Sequence, residues 1–406
     1  MLCPPFENVS GIVPTVCSIK KTKEIIMLYL DVHAIQNVPP SNINRDDTGS
    51  PKTALYGGVR RARVSSQAWK HAMRDLFTKL LPEGSLGVRT KLAQGMIANR
   101  IVELKPELAD QAQELANGVL TATGVKTKVS DRAGSESGAD VTEYLIFIAN
   151  SELDALAHVA IDWVEDGLDP KKPTATMKKQ VSAVFHGVQA VDIALFGRML
   201  ADAPDLNTDA SAQVAHAISV DPVTMEYDYF TAVDDCAAED NAGAAMIESL
   251  GFDSSTLYRY ATIDLSSLCD QLGSGEAAAQ GAAAFIEAFV RSMPSGKMNT
   301  FANRTLPSAL YVAIRDDQPI NAVSAFEEPV KSKEGTSISR QAAERLGERI
   351  GEIEKAYAHP ALRAWNVVVG EPVESLSSLG ASADFATLTD GVRDEVLSLL
   401  GQGSEQ

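Results

Sequence analysis

The sequence predicts an α+β fold whose core follows the order β-α-β-β-α-β. Alternating apolar and polar residues predict a half-buried strand near 25–35, because successive side chains of a strand point to opposite faces. Strand-like runs predict further strands near 190–199, 256–264 and 308–316. Apolar residues at helical spacing predict helices over 67–80 and 276–293. Two long segments interrupt this order: one reads as helical, and the other is acidic and rich in alanine and glycine.

The first strand lies in "EIIMLYLDVHAI", and a helix follows a loop rich in proline, asparagine and aspartate. Ser65 or Ser66 can cap the first turn of this helix. Its apolar face is expected to pack on the sheet, while another face carries Gln67, Lys70 and Arg74.

The remaining elements follow in order. The sequence of residues 87–186 is typical of helices and shows no convincing strand, which predicts a helical insertion. A strand-like run follows over 188–199, and a short helix is predicted after it at "SAQVAHAI". Residues 221–255 begin and end as strands, which predicts a protruding hairpin. Without these two insertions, the order of elements is that of ferredoxin-like and RNA-recognition-motif domains.

Composition limits the classes of function. The chain has 406 residues with 36 Lys+Arg and 54 Asp+Glu, and a net charge of -18 argues against indiscriminate coating of nucleic acid. Four scattered cysteines without a C-x-x-C pair fit free thiols in a reducing cytoplasm. Residues 1–26 lack a secretory signal pattern and predict a flexible extension, and no apolar run is long enough to predict a membrane span.

A basic segment stands out against this acidic background. From Thr48 to Arg74 there is no Asp or Glu, although six cations are present: Lys52, Arg60, Arg61, Arg63, Lys70 and Arg74. Together with the amide groups at a helix start, these side chains suit backbone phosphates, and the glycines of "YGGV" allow close approach of a ligand. Without a helix-turn-helix or zinc-finger pattern, single-stranded nucleic acid is favoured over duplex DNA. The alternative is an ordinary solvated basic face.

The segment "NRDDTGSPKTALYGGVRRARVSSQAWKHAMR" resembles the CasC family, the backbone subunits of the type I-E CRISPR surveillance complex, Cascade. Further matching patches are "AVDIALFGRM", "AHAI" followed by "DYFTAVDD", "LYRYATIDL" and "SAFEEPV". They span roughly Met27 to Val330 in the family's order. The N-terminal 26 residues have no counterpart in the resemblance.

The resemblance implies a hand-shaped subunit. Its palm is ferredoxin-like or RNA-recognition-motif-like (27–86, 187–220 and 256–406), and it carries helical fingers (87–186) and a β-hairpin thumb (221–255) after the N-terminal extension (1–26). Several copies bind along one CRISPR RNA as a helical filament, and the thumb kinks the guide so that it is presented in segments for pairing with target DNA in antiviral defence. Implied partners are further copies of the chain, the other Cascade subunits and a separately recruited nuclease-helicase.

The resemblance also implies site residues. It assigns the RNA-facing surface of the palm to Asn44, Arg45, Lys52, Ser65, Ser66, Gln67, Lys70 and Arg74. Arg198 and Met199 lie where the family places a second strand of the groove. Tyr229 and Phe230 are either a wedge against an unstacked base or core aromatics at the root of the arm. Lys171, Lys172, Lys178 and Lys179 either contact duplex DNA or form a solvated face.

The alternative to a structural RNA-binding role is an enzyme that cuts RNA. Asp46 and Asp47 are adjacent carboxylates beside the proposed RNA path, and related subunits of type III complexes use a loop aspartate to cut RNA. No metal-spaced histidines or second acid cluster accompany them, so turn chemistry is the favoured role and neither a catalytic residue, a metal nor a cofactor is expected. Asp192 is expected to make a structural hydrogen bond. A third hypothesis is an unrelated monomer that binds single-stranded RNA through the palm surface alone.

Overall fold

The computed structural model describes residues 27–129, 140–232 and 246–402. Within them the chain forms one ten-stranded sheet, two small two-stranded sheets and twelve α-helices. The predicted N-terminal extension and the middle of the predicted arm lie outside the described residues. None of the described helices is both long enough and apolar enough to cross a membrane.

The strands are β1 (Tyr29–Ser41), β2 (Thr53–Tyr56), β3 (Val59–Val64), β4 (Gly87–Thr90), β5 (Thr127–Val129), β6 (Asp140–Thr142), β7 (Ile146–Ala149), β8 (Ala212–Val214), β9 (Ala217–Ser219), β10 (Glu226–Ala232), β11 (Met246–Asp264), β12 (Ala309–Arg315), β13 (Arg363–Val368) and β14 (Ala381–Ser382).

The helices are α1 (Ser66–Leu80), α2 (Ala93–Leu104), α3 (Ala112–Thr123), α4 (Asn150–Glu165), α5 (Ala175–Phe185), α6 (Val191–Phe196), α7 (Leu265–Leu272), α8 (Gly275–Arg291), α9 (Met298–Phe301), α10 (Ile338–Tyr357), α11 (Glu374–Ser377) and α12 (Phe385–Gln402).

The centre of the large sheet consists of four antiparallel strands in the order β12-β1-β11-β9, with β8 also paired to β11. Helices α1 and α8 share one core on this sheet, where Met73 and Phe77 of α1 meet Phe285 and Phe289 of α8. Only the β13–β14 pairing is parallel among the described strand pairs. The predicted α+β class is therefore confirmed, and the order β-α-β-β-α-β holds with β8 and β9 in the position of the second strand.

Two predicted elements of this core have the wrong type. The predicted strand at 190–199 is helix α6, in which all six residues are buried; a short, fully apolar run has the same sequence signature in a buried helix as in a strand. The predicted helix at 211–218 is β8 and β9, since pairing with β11 outweighs local propensity.

The helical insertion also contains strands that the sequence did not predict. Helices α2 to α5 pack around a core that includes Ile97, Leu156 and Trp163. Two small sheets, β4–β7 and β5–β6, accompany them. Their strands are three or four residues long, which is too short for a clear alternation of apolar and polar residues.

The second face of the central sheet is covered. Tyr258, Tyr260 and Tyr311 are buried there in a core that includes Leu346 and Ile350 of α10. An RNA-recognition motif stacks bases on exposed aromatic residues of its sheet. Because both faces of this sheet carry packed helices, a nucleic acid cannot stack on the sheet itself in the way it does in an RNA-recognition motif.

A buried carboxyl group lies where β11 leaves the central sheet. Asp253 pairs with Ser41 of β1, is 8% exposed, and its Oδ2 atom has no hydrogen-bond partner among the described residues. Burial raises the pKa of Asp253 to about 6, and the neighbouring carboxyl group of Asp221 adds to the shift.

We expect Asp253→Asn to stabilise the protein at neutral pH. The folded-state pKa lies above the unfolded value of about 3.9, so the wild type loses stability as the pH rises from about 4 through 6. Urea unfolding at pH 7.5 is expected to show a gain of about 1–3 kcal/mol for the variant, which disappears near pH 4. Asp110→Asn, at an exposed carboxylate, serves as the control; equal pH profiles for both variants would contradict the role of Asp253.

Candidate nucleic-acid interface

The basic segment folds as a hairpin that leads into α1. β2 and β3 are joined by Gly57 and Gly58, whose φ angles of 58° and 76° match the two-residue turn that such hairpins favour. Gly57 lies against the carbonyl group of Glu327, where a Cβ atom would fall 1.7 Å from the oxygen. Gly57 therefore serves the turn and its contact with the protein, and the predicted close approach of a ligand is wrong there. The space beside Gly58 is open, so close approach at Gly58 stays a prediction.

Arg61 is not available to a ligand. Its side chain is buried, and its guanidinium donates to the carbonyl oxygens of Ser219 at 3.0 Å and Phe326 at 2.8 Å. The neighbouring Arg60 is exposed, as expected for residues that alternate along a strand. The assignment of Arg61 to RNA binding is wrong, because its donors are used to join β3 to the loop around residue 326.

The start of α1 is held by hydrogen bonds. The Oγ atom of Ser65 accepts from the backbone N–H of Ala68 at 3.3 Å, so Ser65 is the N-cap among the two serines that the sequence offered. The Oδ1 atom of Asn44 accepts from the backbone N–H of Ser65 at 2.8 Å. Both side chains fix the position of the helix start relative to the preceding loop.

Around this start lies a set of exposed or half-buried polar side chains, which we call the α1 surface. Backbone hydrogen bonds from Lys52 to Asn44 and from Arg63 to Lys52 hold the loop and the hairpin side by side. The surface comprises Asn44, Arg45, Lys52, Arg63, Ser66, Gln67 and Lys70. The structure therefore groups most of the predicted palm residues at one edge of the sheet.

Arg74 differs from its neighbours on α1. Its side chain is 18% exposed, and its Nε atom lies 3.6 Å from Oδ2 of Asp192. Asp192 is buried and also accepts from the backbone N–H of Gly87 at 2.8 Å, which confirms its predicted structural hydrogen bond. Arg74 was predicted to lie with Gln67 and Lys70 on an RNA-facing helix face, but its side chain is largely covered and is directed to Asp192 of α6 beside the start of the insertion.

Arg198 is buried as well. Its Nη1 atom donates to both carboxylate oxygens of Glu152, at 2.6 Å and 2.8 Å, while Nε donates to the carbonyl oxygen of Leu206 at 3.1 Å. The assignment of Arg198 to RNA binding is therefore wrong. Its neighbour Met199 is 82% exposed, so a ligand can reach only the second residue of this predicted pair.

The predicted arm is a hairpin at its root. β10 and β11 pair from Glu226 opposite Phe252 to Ala232 opposite Met246. Tyr229 is 65% exposed, which contradicts the alternative that it is a core aromatic residue. Tyr227, two residues earlier on the same strand, is 66% exposed and was missed, although the spacing of two is a signal for a shared strand face. The side chain of Phe230 lies outside the described residues.

The four lysines of the insertion lie on and beside α5. All are exposed, and the Nζ atom of Lys171 lies 3.0 Å from Oε2 of Glu114. Lys172 precedes the helix, and Lys178 and Lys179 lie on it. Their exposure suits either a DNA contact or a solvated face, so DNA contact stays a prediction.

Asp46 stabilises its own loop. Its Oδ1 atom accepts from the backbone N–H of Thr48 at 2.9 Å, the hydroxyl of Thr48 at 2.7 Å and the backbone N–H of Ser50 at 3.0 Å. The hydrogen bond from the Thr48 hydroxyl, supported by backbone N–H groups, lowers the pKa of Asp46. This is the turn chemistry that the sequence favours. Among the described residues, no group of three or more His, Cys, Asp or Glu side chains is placed to hold a metal ion.

Comparisons with known proteins agree on one group. The family model of the CT1975-like proteins matches residues 30–391. A chain of a solved structure described as "CRISPR RNA-guided surveillance complex, pre-nicking" is 33% identical over 91% of this chain and 100% of that chain, with a TM-score of 0.77. A chain of a second "CRISPR RNA-guided surveillance complex" is 29% identical over 90% and 99%, with a TM-score of 0.67. A search of curated proteins found no match.

Proposed function

Because the chain belongs to the family of CT1975-like proteins, we propose that it is an RNA-binding subunit of a CRISPR surveillance complex. The relatives with solved structures are chains of RNA-guided complexes, and in each comparison the similarity covers nearly the full length of this chain and of the related chain. RNA and the other subunits of such a complex are accordingly its partners.

The observation that supports this function most directly is the α1 surface. It places Arg45, Lys52, Arg63 and Lys70 at one edge of a chain whose net charge is -18. A local cationic edge on an acidic protein suits one anionic strand in a defined position and disfavours unspecific coating. Polar groups such as Gln67 next to the cations suit phosphate and sugar oxygens, which are the common contacts of a protein with a nucleic-acid backbone.

We propose further that the chain is the CasC-type backbone subunit of a type I-E complex and acts in the cytoplasm. Several copies bind one CRISPR RNA as a helical filament, and the hairpin of β10 and β11 reaches the next copy and kinks the guide. The exposed rings of Tyr227 and Tyr229 support this role, because an aromatic face stacks on any base without reading sequence. Target DNA pairs with the guide, the lysines of α5 contact its duplex, and a separately recruited nuclease-helicase cuts it.

Native purification tests the proposal. We expect the chain to co-purify with RNA of a defined length and in several copies per RNA, because each copy covers one segment of the guide. Native mass spectrometry of the complex gives the copy number, and sequencing identifies the RNA. A monomer that carries RNA of random length would support the simple single-stranded RNA binder instead, and a protein free of RNA would contradict RNA binding.

The same complex tests whether the subunit cuts RNA. We propose that it does not, since the Oδ1 atom of Asp46 is engaged in its own turn. Incubation with complementary RNA and Mg²⁺ is expected to leave that RNA intact. Cleavage that disappears in Asp46→Asn or Asp47→Asn would establish the alternative, a metal-dependent ribonuclease that uses a loop aspartate.

A further inference from the structure

A groove of about 570 Å³ lies where the insertion meets the palm. Its lining includes Arg89 of β4, Phe147 of β7, Phe196, Met199 and residues 207–210. The sequence did not indicate Arg89, which is a single cation in a short strand. The groove is separate from the loop of Asp46 and from the hairpin of β10 and β11.

Three cations cluster on the aromatic residues of this groove. The guanidinium carbons of Arg74 and Arg89 lie 4.5 Å and 4.8 Å from the centre of the Phe147 ring. The Nζ atom of Lys70 lies 5.6 Å from the centre of the Phe196 ring. Cations on aromatic faces are attracted to the ring, but the ring carries no net charge. Of the three cations, Arg74 is paired with Asp192, and no ion pair of Lys70 or Arg89 is found among the described residues.

The positive charge exceeds the negative charge at this place. Burial lowers the pKa of Lys70, and the charge of Arg89 lowers it further. Burial also lowers the pKa of Arg89, as does the charge of Arg74, while Asp192 acts in the opposite direction. Asp192 already lies 3.6 Å from Arg74, and Asp209 is an exposed residue of the groove lining. Bringing like charges together in a partly dry groove costs free energy that a bound anion would recover.

We propose that this groove is a phosphate site for single-stranded RNA in which Arg89 is a direct ligand together with Lys70. The inference rests on the proposed function and adds to it one residue, Arg89, in a groove whose Met199 the resemblance already assigned to RNA binding. Lys70 belongs to both places, so a strand held on the α1 surface continues into the groove along α1. Guanidinium groups bind phosphate through two parallel N–H donors, which suits Arg89 at the open side of the cluster.

The rim of the groove favours RNA over an acidic peptide. Leu145 is 60% exposed and Met199 is 82% exposed, and both line the groove. A nucleotide places an apolar base face and a sugar within a few ångströms of its phosphate, so it can satisfy the cations and cover these apolar side chains at once. A carboxylate side chain offers only the charge.

Binding of a 5′-fluorescein-labelled single-stranded RNA of about 30 nucleotides tests the proposal. We expect Arg89→Gln to weaken binding about 10-fold and to reduce the slope of log K against log salt concentration by about 0.7, the value for one lost phosphate contact of a single strand. Arg89→Lys keeps the charge and is expected to retain most of the affinity. Arg100→Gln is the matched control, because it removes a half-buried arginine of the same insertion that pairs with Glu103 and Asp154.

Each result decides between the proposals. If Arg89→Gln binds like the wild type, the groove site is wrong and the proposed function stands. If the affinity falls but the salt slope does not change, Arg89 stacks on a base and the phosphate assignment is wrong. If the wild type itself fails to bind the RNA, both the groove site and the proposed function are contradicted. Circular dichroism of each variant confirms that the fold is kept.

Discussion

Replacing both Lys52 and Lys70 by glutamate is expected to remove bound RNA from the purified protein. Both side chains belong to the α1 surface, and neither forms an ion pair with a carboxylate among the described residues. Each charged contact to phosphate contributes roughly 1.5–3 kcal/mol, so losing two of them lowers the affinity about 100-fold or more. The new negative charges add repulsion to this loss.

The measurement is the RNA content of the purified variant, from the ratio of absorbance at 260 and 280 nm, together with RNA-binding titrations at several salt concentrations. The matched control is Lys79→Glu with Lys355→Glu, which makes the same change in net charge at exposed positions outside the α1 surface. Equal loss of RNA in both double variants would show that overall charge, and not the α1 surface, holds the strand. Arg74 is left unchanged, because its replacement would leave the buried Asp192 without its ion pair.

The largest expected effect on stability comes from Arg198→Met. Arg198 joins Glu152 of α4, the carbonyl oxygen of Phe185 at the end of α5, and the loop at Leu206. Removing one partner of a buried ion pair leaves an unpaired buried charge and costs about 3–5 kcal/mol. Urea unfolding of the variant is expected to show a loss of this size in the free energy of unfolding.

Arg393→Met provides the comparison for this prediction. Arg393 also forms ion pairs, with Asp390 and Asp394, but it lies on the surface of α12. Solvent screens such pairs, so its loss is expected to cost less than about 1 kcal/mol. Similar losses for the two variants would contradict a structural role of Arg198 at the joint between the insertion and the palm. Because Met199 follows directly, a loosened joint is also expected to displace the groove.

The sequence predicted those elements whose pattern is long. Helices α1 and α8 are long enough to show apolar residues on one face at helical spacing. Strands β1, β12 and the central part of β11 are long runs rich in β-forming residues, which identifies them although β12 is buried on both faces. The prediction for α6 was wrong because all six of its residues are buried, so its sequence shows no polar face that would identify a helix. The prediction for β8 and β9 was wrong for two reasons. Three residues are too few to show a period of hydrophobicity, and the pairing of these strands with β11 is a long-range contact that the local sequence does not show.

The site was predicted as a charge pattern but not side chain by side chain. The absence of acidic residues over 48–74 located the α1 surface, because a segment without acidic side chains keeps its net positive charge in the folded protein. It did not separate Arg60 from Arg61, which requires knowing that both lie on one strand and face opposite ways. Arg198 and Arg74 are paired with Glu152 and Asp192, which are distant in sequence, so their burial follows only from the fold.

Photo-crosslinking of the native complex with its RNA, followed by mass spectrometry of the crosslinked peptides, tests the central claim most directly. The claim is that the cationic edge at the start of α1 holds the backbone of one RNA strand. The expected result is that crosslinked residues fall within 44–74, with a second group at Arg89 and Met199. Crosslinks confined to α10 and α12, on the opposite and outer sides of the palm, would contradict it.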